Sequence, residues 1–253
     1  MNDITVGTNI EATNFPFLLA AGASVLMGIY SFTLPSTPPK SKGQSVDWKQ
    51  LIGLDALSLL RDRSFLVLFL ASLLICIPLS FYYGFTNPYL NEIGFADAAG
   101  KMTFGQMSEM LFLFIMPFFF KRLGVKNMML IGMGAWVLRY ILFAYGNADD
   151  MVWMLYLGII LHGICYDFFF VTGQIYADDR APEHLKSSVQ GLMTFATYGV
   201  GMFIGTWASG KVVDLYTIGE QAHNWTQIWM IPAVFAVGVL VLFGLFFKNP
   251  KQG

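Results

Sequence analysis

The chain contains 253 residues, of which 56% are hydrophobic and 12% are charged, and its net charge is −1. Soluble domains carry about 25% charged residues, so this composition excludes an ordinary soluble protein. The near-neutral charge gives no reason to expect a nucleic-acid partner. A helix needs about 20 apolar residues to cross a lipid bilayer, and stretches of that length recur along the chain. The sequence therefore predicts an all-α, multi-pass transmembrane helical bundle whose surroundings are the lipid bilayer.

Seven transmembrane helices are predicted from the apolar stretches and from the polar, Gly- or Pro-containing connections between them. In chain order they occupy residues 15–34, 64–86, 102–120, 127–146, 151–177, 188–209 and 227–247. The preceding segment, 1–14, lacks the positive charge with which a secretory signal peptide begins. A linker at 35–63 separates the first helix from the six-helix region at 64–247, and a tail follows at 248–253.

The Lys and Arg residues predict the orientation of these helices, because basic residues concentrate on the cytoplasmic side of a membrane protein. If the linker at 35–63 is cytoplasmic, twelve of the fifteen basic residues lie inside, the exceptions being Lys101, Lys211 and Arg139. We therefore expect the N-terminus outside and the C-terminus in the cytoplasm. Seven-helix retinal proteins share this topology, but they need a lysine in the last helix, and 227–247 contains none.

Ionisable side chains inside the predicted helices cost about 2.5–3.5 kcal/mol each, so each of them calls for an explanation. At 1.5 Å per helical residue, Glu109 and Asp167 lie near the middle of the membrane, where transporters hold substrates and coupling ions. Gln106 shares a helix face with Glu109, and this amide and carboxyl could bind a hydrogen-bonding ligand. A buried carboxyl can also exchange a proton near neutral pH. The simpler alternative is a hydrogen bond that only joins two helices.

Two more ionisable residues lie in predicted helices. Arg139 needs a counter-charge, and we expect a structural ion pair with Glu109 or Asp167. His162 and Tyr166 are four residues apart and share a helix face. The histidine is interpreted either as a packed hydrogen-bond partner or as a proton relay.

Proline and glycine residues predict two features of helix geometry. Asn87 is followed by Pro88, which indicates either a broken helix that presents an amide to a cavity or an ordinary helix end. Gly201 and Gly205 form a GxxxG pattern, which favours close packing of two helices.

The region from 105 to 215 contains the segments GQMSEMLFLFIMPFFFKRLGVK, HGICYDFFFVTGQIYADD and SSVQGLMTFATYGVGMFIG. Together with SFTLPSTPP and GFTNPY earlier in the chain, they resemble the nucleoside:proton symporter family of the major facilitator superfamily over nearly the whole chain. The resemblance implies that the predicted helices are the sixth to the twelfth of a twelve-helix transporter. The helix at 15–34 then corresponds to the sixth, and 64–247 corresponds to the C-terminal half.

The resemblance also implies a mechanism and a set of site residues. Members of the family bind nucleosides in a cavity between two six-helix halves and use proton entry to drive uptake. The substrate ligands of the C-terminal half match Asn87, Gln106 and Glu109, and Tyr166 matches an aromatic position. His162 stands in the same pocket, where an aromatic hydroxyl is usual. Glu109 or Asp167 is the expected site of proton coupling.

Two expectations follow from what the sequence lacks, and two alternative functions stay open. It contains no recognised catalytic, metal-binding or nucleotide-binding motif, so we expect no enzyme activity, no cofactor and no metal. The resemblance implies that the N-terminal half of the transporter is missing from this chain and is its expected partner. The substrate could instead be another polar metabolite such as a sugar, or the chain could be a non-transporting receptor or assembly partner.

Overall fold

The computed structural model describes residues 13–37, 54–219 and 222–248. The chain divides into two compact units, Met1–Val46 and Asp47–Gly253. Most of the predicted N-terminal segment, the middle of the predicted linker and nearly all of the predicted tail lie outside the described residues.

The described part of the first unit contains one apolar helix, α1 (Phe15–Ser31). A proline stands in its first turn, where the missing N–H is not needed for the helix. The helix ends three residues before the predicted boundary at 34. Its 17 residues span about 25 Å at 1.5 Å per residue.

The secondary structure described in the second unit is helical apart from one short pair of strands. Two long helices, α2 (Arg63–Glu92) and α3 (Ala98–Tyr145), follow a 3₁₀ helix at Leu54–Arg61. The next region comprises α4 (Val152–Ile160), α5 (His162–Tyr166), a π-helical turn at Asp167–Val171 and α6 (Thr172–Arg180). After a 3₁₀ turn at Glu183–Leu185 come α7 (Lys186–Thr194), a second π-helical turn at Phe195–Gly201 and α8 (Met202–Leu215). Strands β1 (Thr217–Ile218) and β2 (Ala222–His223) precede α9 (Trp225–Phe246).

Within the described residues, four helical segments are long and apolar enough to cross a membrane by length and composition: Arg63–Glu92, Ala98–Tyr145, Val152–Arg180 and Trp225–Phe246. The 48 residues of α3 would span about 72 Å as one straight helix, more than twice the hydrocarbon thickness of a bilayer. Gly124 divides α3, because its φ of 68° is not helical. The two arms of α3 correspond to the helices predicted at 102–120 and 127–146.

The predicted end of the second helix at residue 86 is wrong. Helix α2 begins after Asp62, whose side chain accepts a hydrogen bond from the Phe65 N–H at 2.8 Å. It then continues through Pro88 to Glu92. A proline inside a membrane helix is tolerated when other groups satisfy the backbone carbonyl that it leaves free. Neither a broken end nor an ordinary helix end therefore stands at Asn87.

Buried aromatic residues join α2, α3 and α9 in the core of the second unit. The rings of Tyr140 on α3 and Trp229 on α9 are stacked at 5.9 Å. The hydroxyl of Tyr140 donates to the Pro78 carbonyl on α2 at 2.6 Å, and that of Tyr89 donates to the Phe143 carbonyl on α3 at 2.7 Å. These bonds satisfy polar atoms where lipid offers no partners.

Each end of this core is fastened by a charged side chain. Lys126, just after the break in α3, donates to the carbonyls of Gly244 and Phe247, both at 2.7 Å. These are carbonyls at the C-terminal end of α9, which lack partners within the helix. At the other end of the core, the carboxylate of Glu92, the last residue of α2, accepts a hydrogen bond from the backbone N–H of His223 at 2.8 Å.

The close packing predicted for Gly201 and Gly205 is confirmed, and their partner is α2. A Cβ at Gly201 would lie 2.7 Å from the carbonyl oxygen of Leu73, and one at Gly205 would lie 2.9 Å from that of Cys76. Both contacts involve backbone atoms, which cannot move aside as a flexible side chain can.

We expect Gly205→Ala to lower the stability of the protein by about 1–3 kcal/mol, because the added methyl group forces α8 away from α2. The matched control is Gly210→Ala on the same helix, where nothing lies within 4 Å of the added methyl group. The control should be neutral or slightly stabilising. Thermal unfolding in detergent measures both, and equal melting temperatures for the two variants would contradict this packing.

Candidate functional site

The candidate site forms where the first arm of α3 packs against the Val152–Arg180 segment. The hydroxyl of Ser108 donates to the Ile160 carbonyl at 2.5 Å. A Cβ on Gly163 would lie 2.6 Å from the Ser108 carbonyl and 2.7 Å from the Glu109 nitrogen. Only a residue without a side chain allows this approach of the two backbones. The contact sets Glu109 of α3 beside His162 of α5.

Glu109 and His162 are the first pair of predicted site residues that the structure brings together. Their Oε2 and Nε2 atoms are 3.4 Å apart. The histidine side chain is 4% exposed and the glutamate side chain is 34% exposed. The carboxyl therefore opens to the surface of the unit, while the imidazole stands behind it.

Arg139 lies on the far side of His162, fully buried. Its Nη1 atom is 3.2 Å from Nδ1 of His162, and its guanidinium lies 3.3 Å from the centroid of the Tyr82 ring. The predicted ion pair is not formed directly, because within the described residues the guanidinium reaches Glu109 only through the imidazole. Aromatic faces take the place of a counter-ion around this charge.

Asp167 begins the π-helical turn Asp167–Val171 and is 1% exposed. Neither of its carboxylate oxygens has a hydrogen-bond partner among the described residues. An ionised carboxylate without partners is costly to bury. Single π-helical turns inside α-helices occur frequently at functional sites.

Tyr166 contacts both the histidine and a residue of the second π-helical turn. Its ring lies 6.1 Å from that of His162, and its hydroxyl is 2.7 Å from the hydroxyl of Tyr198. The half-exposed Tyr198 and Tyr83 border the same group, the latter with its ring edge towards His162 at 6.4 Å. Exposed aromatic rings around a carboxyl form a surface on which a planar ligand can stack.

The two predicted amide ligands lie on the helices that carry these residues. Asn87 is half-buried on α2, and its side-chain oxygen accepts from the Asn91 amide at 2.9 Å. Because Pro88 has no N–H, it cannot donate a hydrogen bond to the Gly84 carbonyl one turn earlier. Gln106 is exposed on α3, one turn before Glu109.

Comparison with known families identifies this arrangement. A sequence model described as "Nucleoside H+ symporter" matches residues 2–252 of the chain. The chain belongs to the nucleoside H+ symporter family. This confirms the resemblance on which the sequence analysis relied. The nucleoside H+ symporter family is one of transporters and not of enzymes. Together with the apolar helices, membership assigns the chain to the bacterial inner membrane.

Relatives in Escherichia coli (strain K12) show how far the similarity extends. The chain is 44% identical over 248 residues to the protein named "Putative nucleoside transporter YegT", covering 95% of this chain and 58% of the relative. It is 31% identical to "Xanthosine permease", covering 95% of this chain and 60% of the relative. The chain therefore spans about three-fifths of the length of these symporter relatives.

Solved structures within the nucleoside H+ symporter family agree with the fold. The crystal structure of the nucleoside transporter NupG matches with a TM-score of 0.77 and 30% identity, covering 96% of this chain and 62% of that one. A variant of NupG matches with a TM-score of 0.80 and 32% identity, covering 91% and 60%. The all-α transporter fold of the major facilitator superfamily, predicted from the sequence, is confirmed.

Sequence reasoning missed the aromatic neighbours of the site. Tyr83 precedes Asn87 by four residues and shares its helix face, which is a signal that could have found it. Tyr198 has no such local signal, because its partner Tyr166 is 32 residues away. Ser108 and Gly163 could have been recognised as small residues that permit close helix contact.

The tyrosine pair gives a direct test of this geometry. Tyr166→Phe and Tyr198→Phe each remove the same hydrogen bond, so the double variant should be more stable than the sum of the two single effects predicts. The expected coupling is about 0.5–1.5 kcal/mol. Denaturant unfolding in detergent measures it. The control cycle pairs Tyr166→Phe with Tyr145→Phe at the exposed end of α3, where zero coupling is expected. Zero coupling in the first cycle as well would contradict the contact.

Proposed function

We propose that this chain forms the C-terminal part of a proton-coupled transporter that takes up nucleosides across the cytoplasmic membrane. One observation carries the proposal: a part-exposed carboxyl, Glu109, stands beside a buried histidine and near a buried carboxyl without partners, Asp167. A scaffold has no use for titratable groups at this depth, whereas a symporter needs them to carry protons. The names of the relatives supply the class of substrate.

Substrate binding is assigned to groups that line the open side of the site. Glu109 and Gln106 offer an acceptor and an amide to the sugar or base hydroxyl and amino groups, and Asn87 adds a second amide. The ring of Tyr166 offers a stacking face to the base. His162 is almost fully buried, so it acts on the substrate through Glu109.

Proton coupling is assigned to the two carboxyls. Glu109 is accessible from the surface and can exchange its proton when the substrate arrives or leaves. Asp167 is buried, and it can hold a proton until a change of conformation exposes it.

The distribution of basic residues supports an external N-terminus and a cytoplasmic C-terminus. In this arrangement the break at Gly124, with Lys121, Arg122 and Lys126 around it, lies at the cytoplasmic surface. Helix α1 corresponds to the sixth helix of the family and residues 64–247 to the C-terminal six-helix half. A cavity between two halves requires an N-terminal half as partner.

We expect cells that lack their own nucleoside uptake to accumulate labelled nucleoside when they produce this chain. The chain is produced together with the part of an Escherichia coli relative that it does not cover. Accumulation should require an inward proton gradient and should be lost when a protonophore dissipates it. Labelled sugars serve as the comparison substrates. Accumulation of a sugar but not of a nucleoside would contradict the proposed substrate, and binding without accumulation would contradict transport.

We further expect Glu109→Gln to abolish accumulation above the external concentration, because the amide cannot carry a proton. Exchange of labelled for unlabelled nucleoside should persist. The matched control, Glu92→Gln at the far end of α2, removes a carboxyl outside the site and should retain accumulation. If Glu109→Gln keeps its pH dependence while Asp167→Asn loses it, the coupling role belongs to Asp167 alone.

A further inference from the structure

The imidazole of His162 is held between two charged groups, one at each ring nitrogen. Its Nδ1 faces Nη1 of Arg139 at 3.2 Å, and its Nε2 faces Oε2 of Glu109 at 3.4 Å. We infer that Arg139 is a positioning residue, which fixes His162 as a neutral hydrogen-bond donor to Glu109 and prevents the histidine from carrying the transported proton. The inference deepens the proposed function and rests on it for its meaning in transport.

The tautomer follows from the donors and acceptors present. A guanidinium has five N–H donors and no acceptor, and it stays charged in proteins. The nitrogen that faces it must therefore be the unprotonated one, which leaves the imidazole proton on Nε2. That proton is on the nitrogen that lies 3.4 Å from Oε2 of Glu109, slightly beyond the usual hydrogen-bond length, so a small shift forms the bond.

A second proton on His162 is disfavoured by the same geometry. It would have to sit on Nδ1, where it would oppose an N–H of Arg139 and add a positive charge beside the guanidinium. The other titratable groups that face the imidazole are Tyr82 and Tyr83 from α2 and Tyr166 from its own helix, while Asp167 follows one turn along. Glu109 is the carboxylate in contact with the imidazole among the described residues.

Aromatic packing keeps both side chains in place. The Tyr82 ring stacks on the imidazole at 5.3 Å and an angle of 22°, and it also lies 3.3 Å from the Arg139 guanidinium. On α3, a Cβ added to Gly105 would meet the His162 Cβ at 3.2 Å. The remaining guanidinium nitrogens, Nε and Nη2, have no hydrogen-bond partner among the described residues. Among the described residues, the guanidinium nitrogen that is hydrogen-bonded is therefore Nη1, which faces the histidine.

The consequence for transport is a division of roles. Glu109 exchanges the proton. After the proton has left, the Nε2–H donor of His162 stabilises the charged carboxylate of Glu109. When Glu109 is protonated, its interaction with the Nε2–H weakens, so His162 distinguishes the two states of the carboxyl without changing its own charge.

Nitrogen NMR of the whole chain, labelled with ¹⁵N-histidine in lipid nanodiscs, tests the inference. The chain contains three histidines, and the signal lost in His162→Gln assigns the residue. Exposed His184 serves as the internal reference. We expect His162 to remain a single neutral tautomer with its proton on Nε2 between about pH 5 and 8. A proton on Nδ1, or a doubly protonated ring in this range, would overturn the inference even without a variant.

The arginine variant tests the positioning role. Arg139→Met removes the charge and the donor, and we expect His162 then to populate both tautomers or to gain a second proton. Arg122→Met, which removes an arginine near the break in α3, should leave the His162 signals unchanged. An unchanged spectrum in folded Arg139→Met would refute the role of Arg139.

Uptake assays separate this inference from the proposed function. His162→Gln keeps an N–H donor and should retain the pH profile of uptake, whereas His162→Phe should shift its midpoint to higher pH by about one unit while coupling persists. Loss of coupling in His162→Phe would make the histidine a proton carrier and refute the inference. If the wild-type chain transports nothing, the proposed function fails, but the NMR result still decides the state of His162.

Discussion

The bilayer core offers no hydrogen-bond partners, and this constraint governs how the helices of the second unit pack. Side-chain donors of one helix form hydrogen bonds with backbone carbonyls of another. Tyr89 and Tyr140 join α2 to α3, Ser108 joins α3 to α4, and Lys126 binds the end of α9. Because each bond joins residues at least 52 positions apart, the helices acquire a defined register as well as proximity.

Among the exceptions to this rule, the charged side chains lie at the site. Arg139 keeps two guanidinium nitrogens without hydrogen-bond partners, and Asp167 keeps both carboxylate oxygens without them, among the described residues. Such groups are expensive to retain in a membrane. A transporter can use this free-energy cost, since a group held in an unfavourable state responds strongly when a proton, a substrate or a conformational change alters its surroundings.

Aromatic rings stabilise the buried charge of the site, and small residues let its side chains come into contact. Tyr82 contacts both Arg139 and His162, so one ring supports a charge and fixes the plane of an imidazole. Gly163 lets two helix backbones approach until Glu109 reaches that imidazole. The two π-helical turns follow Tyr166 and contain Tyr198, respectively, so the tyrosine pair stands where the helices depart from regular geometry.

The sequence by itself determined the solvent, the class of fold and the identity of the ionisable residues, because hydropathy, helix period and the cost of buried charge are local properties. It misplaced the end of α2, since Pro88 is a local signal for a helix end, whereas the helix continues through it to Glu92. It also expected a direct ion pair for Arg139. Only the tertiary structure placed His162 between Arg139 and Glu109, because residues 23 and 53 positions apart meet through close helix contact, which no local pattern specifies.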